Sequence, residues 1–192
     1  MHGYSITWAL IILSDTESVG IFAAADTIVL LTNPALISFG NLIGPLFARS
    51  VVKDGIAAFT KLVSMACGGI AIVMTLFALT VGLFGELIMS FFFGSEFAGY
   101  GNLMAILAVS PIFWAMTIVF SAALAAIHKP KSTFVGACCG TVCTTVLAIP
   151  LVHFYNVMGG ATAMLIGSVV ASFVLAATLL LELKRMAKNA DA

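Results

Sequence analysis

Every lysine and arginine in this 192-residue chain falls in one of three short stretches, and long apolar runs lie between them. Arg49, Lys53 and Lys61 follow the second apolar run, Lys129 and Lys131 the fourth, and Lys184, Arg185 and Lys188 the sixth. The other connectors hold no cation and carry Asp15, Glu17, Glu86 and Glu96. Lys and Arg collect in cytoplasmic loops of membrane proteins. Six strictly alternating crossings therefore reproduce the pattern without exception, and they put both termini in the cytoplasm. The apolar runs are residues 4–13, 19–47, 62–83, 103–127, 133–154 and 159–183. A crossing helix needs about 20 mostly apolar residues to span about 30 Å of hydrocarbon. The run at 4–13 reaches about 15 Å at 1.5 Å per residue. It reads either as the tail of a helix whose beginning is missing or as a re-entrant piece; the first is favoured, so the chain is expected to be a fragment or a truncated reading frame.

Composition narrows the class further. Hydrophobic residues make up 62% of the chain and charged residues 8%, with a mean hydropathy of +1.19. A soluble domain has about 45–50% apolar and about 25% charged residues, so a water-soluble, disordered or disulfide-scaffold protein is excluded. Eight Lys and Arg against eight Asp and Glu leave no net charge and no basic stripe for nucleic acid. The expected fold is all-α, a polytopic integral membrane protein of the inner (cytoplasmic) membrane forming one six-helix lobe with its first helix truncated.

No chemistry of bond breaking is legible. His2, His128 and His153 are far apart in sequence, and no HExxH, GxSxG or Walker A motif is present. No convergent acid, base or nucleophile can be assembled, so the chain is not expected to be an enzyme and no catalytic residue is assigned. Cys67, Cys138, Cys139 and Cys143 lie inside apolar runs without a CxxC pair, so no metal and no cofactor are expected.

The second run is the unusual one. It contains Asp26, Asn33, Pro34, Asn41 and Pro45. At about 100° per residue, Asp26, Asn33, Gly40, Asn41 and Gly44 share about 100° of arc. Polar groups facing lipid are costly, so Asp26, Asn33 and Asn41 are candidates to line a translocation pathway, with Arg49 at its inner mouth. The alternative is that the two amides bond neighbouring helices or carbonyls freed by the prolines, and that Asp26 reaches the outer interface. Pro34 and Pro45 are candidate kinks, and Pro111, after Ser110, is a candidate hinge in the fourth run, with passive curvature of the helix as the alternative. Gly40 and Gly44 form a GxxxG pair, as do Gly136 and Gly140; Gly160 and Gly167 lie on a small-residue stripe of the last run. Such residues let helices approach closely. Residues 48–61 alternate apolar and charged positions and read as a cytoplasmic amphipathic connector lying in the headgroup plane. Phe91, Phe92, Phe93, Phe97 and Tyr100, with Phe154 and Tyr155 elsewhere, suit an aromatic belt at the opposite interface.

Several short motifs, taken in order, resemble a known family. Val19-Gly20-Ile21-Phe22-Ala23-Ala24-Ala25 is similar to its Val-Gly-(Ile/Leu)-Tyr-x-x-Ala helix opening. Phe47-Ala48-Arg49 follows Pro34 and Pro45, and Phe92-Phe93-Gly94-Ser95-Glu96-Phe97 is similar to its Phe-Gly-x-x-Phe/Tyr outer loop. Lys129-Pro130-Lys131 looks like its usual turn. Ile149-Pro150-Leu151, Tyr155-Asn156 and Gly159-Gly160-Ala161-Thr162-Ala163 look like its Pro-Leu … Tyr-Gly … Gly-Ala-Ala approach to the last helix. Over essentially its whole length the chain resembles the C-terminal half of polysaccharide flippases, the O-antigen and lipopolysaccharide exporters of the MATE-like superfamily. The resemblance implies one lobe of a two-lobe transporter, with a missing N-terminal lobe or a second copy as its partner and a lipid-linked oligosaccharide as cargo. It departs from the family in placing no Lys or Arg in mid-membrane for the cargo's pyrophosphate. The alternatives are a cation-coupled multidrug exporter of the same superfamily, in which Asp26 would carry the proton or sodium, and a non-transporting membrane subunit.

Overall fold

The computed structural model describes Ile6, Leu10, Ile11 and residues 16–190. The expected first crossing at 4–13 therefore lies outside the described residues, apart from those three positions. Helices α1 (Thr16–Leu30), α2 (Asn33–Lys53) and α3 (Gly55–Phe93) come first. A short 3-10 turn, Ser95–Tyr100, leads into α4 (Gly101–Ala126). The helical run Pro130–Ala190 closes the chain and is interrupted at Asn156, whose φ of 48° and ψ of −128° are not helical. We label its parts α5 (130–155) and α6 (157–190).

Four stretches are long and apolar enough to cross a membrane: Glu17–Lys53, Gly55–Phe93, Gly101–Ala126 and Pro130–Met186. The last has 57 residues and would reach about 86 Å if straight, more than twice the hydrocarbon thickness. It is instead doubled back. Gly136 lies against Leu175, Gly140 against Ala171, Gly167 against Thr144 and Gly159 against Leu151. All four pairs are centred on residues 155–156, which defines an antiparallel hairpin turning at Asn156. The small residues make the close approach possible: a Cβ on Gly140 would sit 2.6 Å from the Ala171 methyl and 3.0 Å from the Gly167 carbonyl oxygen.

The run expected as one crossing at 19–47 is two helices in sequence. Between them the backbone tightens: Leu31 N–H donates to the Ile28 carbonyl at 3.3 Å and Thr32 N–H to that of Val29 at 3.1 Å. These i to i−3 bonds are the 3-10 pattern. Pro34 sits in the first turn of α2, where a missing N–H costs nothing. It starts a helix here rather than kinking one. The connector 48–61 also differs from the expected interfacial helix. α2 continues to Lys53, α3 begins at Gly55, and the chain reverses at Asp54–Gly55, where Gly55 takes φ +80°. Phe47 and Phe59 close that reversal edge to face, with centroids 5.8 Å apart. Ser50 and Phe59 are buried in the two helix ends, while Val52 stays 83% exposed, so the amphipathic residues of this stretch are divided between α2 and α3.

α4 is the axis of the bundle. It packs against α1, α2, α3 and the α5–α6 hairpin, and Leu103, Met104, Leu107, Ala108, Ala115, Val119, Ala123 and Leu124 are buried along it. Apolar residues on all sides suit a helix packed against several others and otherwise facing lipid. Two cores stack along this axis. One, around Phe22, Met89, Leu103, Leu107 and Val152, includes Ile6 and Leu10. The other, around Phe47, Phe59, Val119, Leu124 and Leu179, lies at the cationic end. Outside them, Leu31, Ile72, Leu83, Phe134, Val142 and Phe173 are largely exposed. An apolar exterior this extensive is unsuited to water and suits hydrocarbon.

Candidate functional site

Hydroxyls and amides behave differently on a helix surrounded by lipid. A threonine can satisfy its own hydroxyl: Thr60, Thr80 and Thr145 are exposed and donate to the carbonyls of Ile56, Leu76 and Thr141 at 2.9 Å. An asparagine carries two N–H donors and a carbonyl acceptor, too many for one such bond. Exposed amides therefore mark surfaces that meet water or another polar group.

That criterion separates the polar residues of α1 and α2. Asp26 and Asn33 are half-buried, whereas Asn41 and Arg49 are exposed. Gly40 faces inward, and a Cβ there would meet the Ile118 side chain at 2.9 Å. Nothing lies within 4 Å of a Cβ at Gly44, so Gly40 and Gly44 do not act as a contact pair. The single arc expected for Asp26, Asn33, Gly40, Asn41 and Gly44 is thus divided. Gly40 and Gly44 belong to one helix, so their difference reflects where Ile118 of α4 packs; the tightened turn at Leu31–Thr32, which advances about 120° per residue in place of about 100°, shifts Asp26 relative to Asn41. The outward face instead aligns Thr27, Pro34, Ser38, Asn41, Pro45 and Arg49, all exposed. Thr27 bonds to the Ala23 carbonyl at 2.7 Å, but the Asn41 amide makes no hydrogen bond among the described residues.

Three further polar atoms are hidden and unpaired. Asp26 Oδ1, Ser110 Oγ and Thr133 Oγ1 are shielded from solvent without a hydrogen-bond partner among the described residues. Ser110 is 2% exposed and precedes Pro111, which is buried inside an unbroken α4; the expected hinge is a continuous helix here. Sequence reasoning did not single out Ser110 as a site, though a hydroxyl next to a helix-interior proline is a visible signal. Gly40 lies level with Ile118, and counting eight residues back along both helices puts Thr32 at the depth of Ser110. The interruption between α1 and α2 and the proline of α4 thus share one level of the bundle.

The glycines expected to pack helices do so in the hairpin. Gly136, Gly140 and Gly167 seat α5 on α6, and a Cβ on Gly160 would approach Ile6 Cγ2 to 2.8 Å. Pro45 is accommodated within α2 on its exposed side.

All eight cations gather at one end. Lys129, in the turn after α4, pairs with Glu182 of α6 at 3.4 Å, and Arg185 pairs with the same carboxylate at 3.2 Å. Phe47, Phe59, Ile127 and Leu183 share the core beneath them, which brings Arg49, Lys53 and Lys61 to the same end. Glu17, Glu86 and Glu96 lie at the other end, on α1, at the close of α3 and in the 3-10 turn. Between α2 and α3 an apolar groove of about 340 Å³ opens to the exterior, lined chiefly by Ala35, Phe39, Met65, Gly69 and Val73. No group of His, Cys, Asp or Glu able to hold a metal ion occurs among the described residues.

These features describe a helical bundle of membrane type with one polar outward face and one cationic end. No protein family, no curated protein and no solved structure matches the chain.

Proposed function

We propose that this chain is the C-terminal lobe of a membrane flippase or exporter that moves a lipid-linked oligosaccharide during cell-surface polysaccharide synthesis. The lobe would have six crossings and a MATE-like arrangement, with its cationic end in the cytoplasm. The observation that carries the reading is the outward face of α2. Ser38 and Asn41 are exposed at membrane depth on one face of α2, and unlike the exposed Thr80 and Thr145, whose hydroxyls bond carbonyls of their own helices, the Asn41 amide makes no hydrogen bond among the described residues. A polar face of that kind is costly against lipid and is what a lobe presents to a water-filled cavity shared with a second lobe. The order of the short motifs, from Val19-Gly20 to Gly159-Gly160-Ala161, supports the choice of cargo class. Asn41 and Ser38 would line the pathway, and Arg49 would meet the cargo's phosphates at the inner mouth.

The test is complementation. The full reading frame containing this chain, expressed in a strain that lacks its polysaccharide flippase, should restore surface polysaccharide. Failure to restore it with protein demonstrably inserted in the membrane would reject the cargo.

One observation favours a second reading. The unpaired Oδ1 of Asp26 suits a carboxylate that carries a proton or sodium ion, as in a cation-coupled multidrug exporter of the same superfamily.

A further inference from the structure

The α2–α3 groove and the cations at its end form one amphipathic surface. On α2, Ala35 and Phe39 of the groove lie on the same helical face as Leu42, Leu46, Arg49 and Lys53, at spacings of three and four residues. Leu42 is 63% exposed and Leu46 46%, and Arg49 and Lys53 are exposed as well. The face therefore runs unbroken from the groove to the cationic end. On α3 the exposed residues Lys61, Met65, Gly69 and Val73 follow one another at successive turns. Met65 lies about 6 Å and Val73 about 18 Å along the axis from Lys61. The α3 wall is low at its middle, because nothing lies within 4 Å of a Cβ at Gly68 or Gly69. The result is a slot with apolar walls that opens sideways to the bilayer and has Arg49, Lys53 and Lys61 at its mouth. Asp54, in the reversal between the two helices, offsets part of that charge.

We infer that this slot holds an anionic glycerophospholipid of the leaflet at the cationic end. One acyl chain lies between Phe39 and Gly69, and the phosphate meets Arg49 and Lys61. Charge decides the occupant. A second copy of this chain would bring its own cations to the same end and repel, and a zwitterionic lipid gains nothing from them. Basic pockets between membrane helices on the cytoplasmic side are suited to anionic headgroups. This inference does not rest on the cargo reading, although the two share Arg49; Lys61 and the groove belong to the lipid slot alone.

The experiment is native mass spectrometry of the full chain, purified in detergent and offered phosphatidylglycerol and phosphatidylcholine in equal amounts. Phosphatidylglycerol should be retained at least about fivefold better, roughly the factor one surface cation contributes. The double change Arg49→Gln with Lys61→Gln should abolish the preference. Lys184→Gln with Lys188→Gln, at the same end but away from the groove, should keep it. Gly69→Leu should reduce retention of phosphatidylglycerol several-fold by filling the slot. These side chains are exposed or border open space, so the variants should fold, which thermal unfolding in the same detergent will verify. Equal retention of the two lipids, equal loss with the distant pair, or a lipid-free dimer that Gly69→Leu dissociates would overturn the inference.

Discussion

Gly140 and Ala171 meet across the α5–α6 hairpin with no room for another carbon: a Cβ on Gly140 would sit 2.6 Å from the alanine methyl. The backbone of the neighbouring turn is also close, with the Gly167 carbonyl oxygen 3.0 Å away. Neither neighbour is the free end of a flexible side chain.

Gly140→Val should therefore destabilise the protein by about 1–3 kcal/mol, the usual cost of overpacking. Gly68→Ala should be neutral or slightly stabilising, because its added methyl meets nothing within 4 Å and the helix gains propensity. Thermal unfolding in detergent will compare them. Equal midpoints for the two variants would contradict the hairpin geometry.

Asn156 holds the left-handed backbone that turns α5 into α6, with φ 48° and ψ −128°. These angles resemble the first central position of a type II′ turn, where glycine is preferred. Asn156→Gly should be tolerated better than Asn156→Val, which should lower stability by about 1–3 kcal/mol. The same unfolding assay distinguishes them, and a stable valine variant would mean that the chain does not reverse there.

Ser38 and Asn41 should be accessible to water and Leu76 and Leu83 should not, although all four are exposed on the bundle. With Cys67, Cys138, Cys139 and Cys143 replaced, single cysteines at 38 and 41 of the full protein should react with a membrane-impermeant maleimide. Those at 76 and 83 should stay unlabelled. Labelling at none of the four would leave the outward face of α2 against lipid or sealed in an interface and remove the main support for a pathway.

The cationic end should face a single compartment. A cysteine at Lys131 should be labelled only after the cells are permeabilised, and one at Glu96 in intact cells. Labelling of both from the same side would refute the alternating crossings.

Asp26→Asn separates the two transport readings. Under flippase activity the change should cost less than about threefold in surface polysaccharide. In a cation-coupled exporter it should abolish gradient-driven efflux, because an amide cannot exchange the proton.

Much of this architecture is legible from the residues. The hairpin follows from two apolar runs joined by a short polar stretch, with Gly136, Gly140 and Gly167 at helical spacing. The alternation of Arg49, Lys129 and Arg185 with the acidic connectors anticipates a bundle with one cationic end. The division of the 19–47 run is harder to see. Pro34 marks the place, but the same proline fits a kinked interior or a first turn, and only the hydrogen bonds of Leu31 and Thr32 settle which. Once the phase slips there, the shared arc of Asp26 and Asn41 dissolves, since a constant angle per residue cannot cross a 3-10 turn. Gly40 and Gly44 show the companion difficulty. A GxxxG spacing permits close contact but does not say which side of the helix has a neighbour.

The enclosed position of α4 has a bearing on how the protein is made. α4 emerges from the ribosome before the hairpin that covers one of its flanks has been synthesised. During that interval the flank of α4 that the hairpin later covers is in contact with lipid, or with the insertion machinery, rather than with its final neighbours. Assembly of the lobe is therefore completed from its C-terminal end, when α5 and α6 close over α4.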